Sequence, residues 1–445
     1  MRSPLCVVDI NNFFSSTGGG VRRYHLEKLQ ALSDDPRLDY HVIVPSDRDE
    51  VEHYGRATIH HVPAANALGT GYRFILNPIR LRRLFLRLQP DVIEVGSPYV
   101  LPDLVRWAAR GLDCAIVGFW HAHYPVAYAS RPLSRRSPAL GKAAERLGWW
   151  WAQRTYGRFD ATLAAASCVR QTLEEKGVSD VSVTPLGVDL QLFTPTRRDP
   201  ALRESWGVSD SDVVMAFPHR LCEEKNLGAF VDAYERLRAM TDQRAVLVFA
   251  GRGPDVALVE DLVARYPGDV HYVGYLPQRE DMARLLASVD VVAALSPTET
   301  FGLSAAEAMA AGNALIGSEE LSVGEMLQDS RAGITVRDGD AAGIADAWLE
   351  LLRPGRAQLL GARAHTFANQ HFSWGQTFER ILQVYEDTSG RAAVAERPRV
   401  APLAASGRVG NWGAGITRLL ADDGRRAPTQ NTRAVAKTGA GRRSA

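Results

Sequence analysis

Val291-Val292-Ala293-Ala294-Leu295-Ser296-Pro297-Thr298-Glu299-Thr300-Phe301-Gly302-Leu303-Ser304-Ala305-Ala306-Glu307 decides how this chain folds. An apolar run too short for a stable helix ends at Leu295, an acidic loop follows, and an alanine-rich stretch of strong helix formers opens near Gly302. Strand, loop and helix in that order form the repeating unit of a parallel sheet covered by helices.

The same unit recurs on both sides. Strand-type runs at Val213 to Phe217, Ala245 to Ala250, Val270 to Val273 and Ala314 to Gly317 make one series with it; Leu5 to Ile10, His41 to Val44, Asp91 to Val95, Ala115 to Phe119, Ala161 to Ala165 and Val181 to Thr184 make an earlier one. Leu186-Gly187-Val188-Asp189 and the proline-flanked stretch Phe193 to Pro200 place a linker near 187–200. The reading is therefore α/β, with two doubly wound parallel sheets, and the 445 residues exceed what one core usually organises. Expected bounds are 1–190 for the first domain, 191–370 for the second, 371–388 for a closing helix bearing Phe372, Trp374, Phe378, Ile381, Leu382 and Tyr385, and 389–445 for a disordered tail. That tail carries eleven Lys/Arg against three Asp/Glu, so it reads as a solvated basic extension, with attachment to anionic lipid as the sharper alternative. Open sheets of this type bind ligands at the carboxyl ends of their strands, so two facing sheets would hold a substrate in an interdomain cleft.

A formal net charge of +1 gives no global field of the kind wholesale nucleic-acid binding uses. Cys6, Cys114, Cys168 and Cys222 are scattered, with no zinc spacing, which points to a reduced compartment without disulfides or a structural metal. The apolar run from Leu5 to Ile10 is too short for a signal sequence, and no run is long enough to span a bilayer, so a cytoplasmic location is expected, any membrane contact being peripheral. The basic amphipathic stretch Arg80 to Leu88 offers such a contact, or simply packs on its sheet.

Four places carry chemistry. At the first, the backbone N–H groups of Phe301, Gly302 and Leu303 would be free at a helix N-terminus, suited to a diphosphate, while Glu299 and Thr300 sit in the loop before it. Glu307 lies eight positions on from Glu299, at most about 12 Å away if all were helical, within reach of a ribose diol. Ser304-x-x-Glu307 is equally a capping box, in which Glu307 merely satisfies helical N–H groups. At the second, Pro218-His219-Arg220-Leu221-Cys222-Glu223-Glu224-Lys225-Asn226 offers Arg220 and Lys225 to a leaving group with two phosphate charges, or is a solvated ion-pair cluster. The third, Ser16-Thr17-Gly18-Gly19-Gly20-Val21-Arg22-Arg23-Tyr24, is a glycine-rich turn without dinucleotide spacing; Gly19 and Gly20 are its candidate ligand-facing positions. The fourth, Phe119-Trp120-His121-Ala122-His123-Tyr124-Pro125, sets two histidines at a strand's carboxyl end with no third ligand for a metal. Trp149-Trp150-Trp151 belongs to an acceptor groove or to buried packing, the latter favoured.

Glu299 to Glu307, with its internal Phe301-Gly302, resembles the Glu-x7-Glu motif of the retaining glycosyltransferases of family 4, and Arg220-Leu221-x-x-Glu224-Lys225-Asn226 is similar to that family's cationic segment, Pro218-His219 departing from its usual residues. The resemblance spans about residues 1 to 387, the motifs fall in the family's order, and it implies the GT-B architecture of two Rossmann-like domains, acceptor-binding then donor-binding. It implies hexosyl transfer from a nucleotide-sugar, of GDP-mannose or UDP-hexose type, to a hydroxyl of a glycan or lipid-linked acceptor, without cofactor or divalent metal. Arg220 and Lys225 would carry the leaving-group charge, Glu299 orient the sugar, Glu307 hold the ribose and His121 sit near the reacting centre; Gly19 and Gly20 would close on donor phosphate. Gly18 to Arg22 and Glu94-Val95-Gly96-Ser97-Pro98-Tyr99 look like bacterial members acting on lipids or surface polysaccharide. Loops such as Gly274-Tyr275-Leu276 would set base and sugar. A sugar-nucleotide epimerase, a glycan phosphorylase and a catalytically silent scaffold are the rivals.

Overall fold

The computed structural model describes residues 4–14, 19–66, 72–134 and 136–390; Gly18 and the tail from 391 on lie outside them. Sixteen strands are present among the described residues: β1 Leu5–Ile10, β2 Leu38–Ser46, β3 Glu50–Tyr54, β4 Ala57–Pro63, β5 Ala65–Asn66, β6 Arg73–Phe74, β7 Val92–Val95, β8 Ala115–Phe119, β9 Ala161–Ala164, β10 Val181–Val183, β11 Val214–Phe217, β12 Val246–Phe249, β13 Val270–Tyr272, β14 Val291–Ala294, β15 Ala314–Ser318 and β16 Gly333–Val336. The first lobe is an eight-stranded sheet in the order β10-β9-β8-β7-β1-β2-β4-β3, parallel except for β3 against β4; the second is a six-stranded, wholly parallel sheet, β13-β12-β11-β14-β15-β16. In each, the chain fills one side of its first strand and then returns to the other. The order thus reverses beside β1/β7 and beside β11/β14, the points where such sheets open a crevice.

The central strands are buried along their whole length, β1, β7, β11 and β14 alike, because helices cover both faces. Continuous apolar runs mark such strands and were readable as such. The antiparallel β3, a polar edge strand (Glu-Val-Glu-His-Tyr), and the half-exposed edge strand β16 lack that run, and the sequence reading omitted both, together with β4 and the small β5–β6 hairpin. The basic stretch is a helix over Pro78–Leu88, its N-terminus capped by Asn77, whose side chain accepts from the Arg80 N–H at 3.1 Å. Its buried face is Leu81, Leu84 and Phe85.

The closing helix runs Trp374–Thr388 rather than from His371: His371 ends the preceding helix Arg356–His371, and Phe372 and Ser373 form the break. Ser373 pairs with Val188 of the linker, so linker and closing helix meet at one crossing. From there the helix lies against the first lobe, burying Phe378, Ile381, Leu382 and Tyr385.

Two charged residues interrupt the buried strands of the first lobe, Asp9 on β1 and Glu94 on β7. Lys28, fully buried on the helix Gly20–Leu32, answers both, its Nζ lying 2.8 Å from Asp9 and 3.0 Å from Glu94. Tyr40 donates to Asp9 at 3.0 Å, Tyr24 donates to Glu94 at 2.9 Å, and Tyr385 of the closing helix stands 2.8 Å from Lys28 and hydrogen-bonds Glu94. Burial opposes the charge on Lys28, yet Asp9 and Glu94 outweigh it and hold the ammonium above its ordinary pKa. Each ion in this cage has an opposite charge and a hydrogen bond, the condition under which a buried charge is tolerated, although Asp9 takes its contacts through Oδ2 and leaves its buried Oδ1 without a partner among the described residues.

Candidate active site

At the carboxyl end of β11, Arg220 points into the cleft and forms no hydrogen bond or ion pair within the described residues. A short 3-10 turn, Glu223–Lys225, follows, and Asn226, in the left-handed region at φ 57°, ties it down by donating to the Leu295 carbonyl at 2.7 Å and to Asp338 at 2.8 Å. The turn thereby sets the Lys225 ammonium against the Glu299 carboxylate. Burial disfavours the Glu299 charge, but Lys225 prevails and keeps that carboxyl below its usual range.

The unusual Pro218-His219 pair has a structural account. His219 Nε2 donates to the Ala293 carbonyl at 2.6 Å, and its Nδ1 faces Ser304 Oγ at 3.4 Å. The ring therefore braces β11 against β14 and the following helix; burial first, then Lys225, lowers its pKa to about 4, so it stays neutral. The departure from the family pattern leaves both cations in the cleft.

Gly302 precedes the helix Leu303–Ala310 with φ 80°, and a Cβ there would lie 3.0 Å from Val323 Cγ2, so only glycine fits. Ser304 lies inside the helix and no side chain caps it, so the capping-box alternative fails and the first-turn N–H groups open on the cleft. Phe301 contributes backbone only, its ring being buried against Phe372. The Ser322 hydroxyl donates to the Glu299 carbonyl at 2.7 Å and fixes the loop. Burial raises the Glu307 carboxyl to about 7, against the pull of Arg279 and Arg23.

Across the cleft, Gly19 precedes the helix Gly20–Leu32, again with no side-chain cap, and nothing lies within 4 Å of a Cβ built at Gly19 or Gly20. Two helix N-termini, one per lobe, therefore open on the same space and favour an anion there. His121 stacks on Phe119 at 4.2 Å, and its buried Nε2, without a partner among the described residues, lies beside Gly96, where a Cβ would reach within 3.2 Å of that nitrogen and 2.1 Å of the Asn11 amide. Burial holds the His121 ring well below its ordinary pKa, so it is neutral. His123 also reaches the cleft, with its ring edge against Trp149 at 5.3 Å. Trp149 is buried, as favoured, whereas Trp150 is exposed.

The cleft has a volume of about 880 Å³, and Gly19, Gly20, His121, Arg220, Lys225, Glu299, Thr300, Phe301, Gly302, Leu303 and Glu307 all line it. The sequence reading missed Arg23 and Arg279 as site residues. Arg23 follows the glycine turn directly, a signal that was available; Arg279, bridging Glu27 at 3.5 Å and Asp189 at 3.3 Å, gave none. No disulfide joins the four cysteines. Among the described residues one trio, Cys6, Asp39 and His41, brings metal-binding atoms within 4.8 Å of one another, at the amino ends of β1 and β2, the end of the sheet opposite the cleft.

Residues 18–192 match Glycosyltransferase Family 4, and residues 212–354 match Glycosyl transferases group 1. A GDP-mannose-dependent alpha-(1-6)-phosphatidylinositol dimannoside mannosyltransferase of Mycobacterium tuberculosis is 30% identical over 398 residues, 88% of this chain and 97% of its own. The chain belongs to glycosyltransferase family 4. A GDP-mannose-dependent alpha-mannosyltransferase of Corynebacterium glutamicum is 28% identical over 321 residues, 71% of this glycosyltransferase and 72% of its own length. Among solved structures, sucrose-phosphate synthase from Thermosynechococcus elongatus superposes with a TM-score of 0.66 at 16% identity, covering 87% of this chain and 100% of that one, and Anabaena HepE in complex with UDP-glucose with 0.64 at 16% identity, covering 86% and 100%. The fold of this glycosyltransferase is GT-B. Its lobes touch: the Thr300 hydroxyl donates to the His121 carbonyl at 2.9 Å, and Glu325 accepts the N–H groups of Ser167 and Cys168 at 2.9 and 2.6 Å.

Proposed function

We propose that this family 4 glycosyltransferase moves a mannosyl group from GDP-mannose to a hydroxyl of a lipid-linked polyol or glycan, retaining the anomeric configuration and needing no divalent metal. The observation that carries the reading is charge placement: Arg220 without an acidic partner and Lys225 stand beside one helix N-terminus and opposite another, so a leaving diphosphate meets two cations and two sets of backbone N–H groups. The names of the relatives favour GDP-mannose over a UDP-hexose. In this assignment residues 1–190 bind acceptor, 191–370 bind donor and 371–388 close the fold. Glu299 accepts from hydroxyls of the transferring sugar, Glu307 from the ribose diol, and neutral His121 lies near the anomeric carbon. The bond from that carbon to the diphosphate oxygen breaks, the bond to the acceptor oxygen forms on the same face, and the acceptor proton passes to the departing phosphate. Contact with an anionic membrane, from the cytoplasmic side, is assigned to the helix Pro78–Leu88: Leu76, Ile79 and Leu86 are exposed beside Arg83 and Arg87, whereas Arg80 is paired with Asp49 and Arg82 donates to the Ala108 and Arg110 carbonyls. Vesicles containing anionic lipid should retain the protein at low salt and release it at high salt; equal retention on neutral vesicles would sink this assignment.

Thermal unfolding without added metal tests the donor site. GDP at about one hundred times its Kd should stabilise by about 2.7 kcal/mol, UDP and ADP by less, and Arg220→Ala should abolish the shift. Run at pH 6 and pH 8, the same titration probes Glu307. Its raised pKa means that the carboxyl is largely protonated at pH 6 and ionised at pH 8, and only the carboxylate accepts both ribose hydroxyls, so GDP affinity rises with pH. A nucleotide-independent melting temperature would overturn the donor assignment; equal affinity at both pH values would remove Glu307 from the ribose.

A further inference from the structure

We propose that the first lobe carries a ring subsite for the acceptor, an aromatic wall of Phe13, Tyr72, Tyr99, Tyr124 and Tyr128 that takes the C–H face of a six-membered polyhydroxylated ring. The inference rests on the proposed function and adds the chemical class of the acceptor group nearest the reaction. Four separate segments converge to make the wall. Phe13 follows β1, Tyr72 leads into β6, Tyr99 follows β7, and Tyr124 and Tyr128 follow β8. The rings meet in a chain, edge to face from Tyr72 to Phe13 at 5.4 Å and from Phe13 to Tyr99 at 5.8 Å, and tilted from Tyr99 to Tyr124 at 5.9 Å. All five line the cleft.

The wall is stiff from behind. Fully buried Trp120 backs Tyr124 at 5.0 Å, and the Trp151 indole donates to the Pro98 carbonyl at 2.9 Å, pinning the loop that carries Tyr99. It is open in front, where Tyr128 is 58% exposed. Tyr128 also marks where the wall ends: Glu224, Lys225 and Glu299 lie among its charged neighbours. A ring seated on the wall therefore holds its hydroxyls beside the residues assigned to the transferring sugar.

The chemistry selects the occupant. An acyl chain would be matched by aliphatic lining and would leave polar tips unmet. The Tyr124 side chain is buried, and its hydroxyl has no partner among the described residues, an arrangement that native proteins rarely leave without a ligand or water. A pyranoside and an inositol both present an apolar C–H face to aromatic rings and equatorial hydroxyls to such a group.

Saturation-transfer NMR with methyl α-mannopyranoside, myo-inositol and, as a ring-free polyol, glycerol tests the subsite, with and without GDP. One or both rings should bind and glycerol should not, and which ring binds names the source. Tyr99→Leu should weaken ring binding about tenfold with GDP affinity unchanged, and Tyr124→Phe, which keeps the packing, should weaken it by about threefold or more. Glycerol binding as well as the rings, no ring binding at all, or ring binding indifferent to both substitutions would overturn the subsite. Loss of GDP binding alone would overturn the donor reading and leave the ring result standing.

Discussion

Lys225→Ala is expected to lower kcat by about two to three orders of magnitude while the melting temperature stays near that of the wild type. Lys225 is a compact charge at the end of a turn fixed by Asn226, and its side chain is not part of a core. In the proposed assignment its removal takes away one of two cations from the departing diphosphate. It also strips Glu299 of the ammonium that offsets its burial, so the Glu299 carboxyl should shift upward, and its protonation, with loss of acceptor capacity toward the sugar, should set in at higher pH than in the wild type. Single-turnover transfer from GDP-mannose, measured against pH, separates the two effects: charge loss at the diphosphate lowers the plateau, whereas protonation of Glu299 moves the acid limb upward. Lys225→Arg should recover only part of the rate, because a planar fork replaces a point charge at a fixed position. A kcat within about threefold of wild type, less than 1 kcal/mol of transition-state stabilisation, would remove Lys225 from the reaction.

Lys28→Met should cost about 3–5 kcal/mol of folding stability, the range seen when one partner of a buried ion network is deleted. The substitution keeps most of the volume and discards the charge. Asp9 and Glu94 then remain buried with tyrosine hydroxyls and His25, whose Nδ1 lies 3.3 Å from Asp9, as their nearest compensation. Against a total stability of about 5–15 kcal/mol for a domain, the variant stands near the folding threshold. Equilibrium denaturation reads the loss directly, and a change below about 1 kcal/mol would show that the cage behaves like a surface pair.

The fold was legible where burial on both sides leaves an unbroken apolar signature. Leu5 to Ile10 and Ala115 to Phe119 were bounded to the residue, and the core strands of the second lobe to within one. It was illegible at the edges, where Glu50–Tyr54 alternates polar residues and depends on a neighbour for its pairing. The candidate site was readable where chemistry is concentrated in a short segment, as from Glu299 to Glu307. It was unreadable where a residue reaches the cleft from afar: nothing local distinguishes Arg279 or Tyr128 from any other surface arginine or tyrosine. His219 shows a third case, a residue whose oddness in sequence was plain but whose role as a brace required its partners, Ala293 and Ser304, to be seen.

The Tyr385 phenol closes the cage around Lys28 across 357 positions of chain. On the ribosome the first lobe emerges before anything else, with its lysine and two carboxylates in place but one phenol short. The last helix among the described residues supplies that phenol. A nascent first lobe therefore lacks its final interior hydrogen bonds until the second lobe has been synthesised, and its buried cage is completed only after that lobe has entered the exit tunnel.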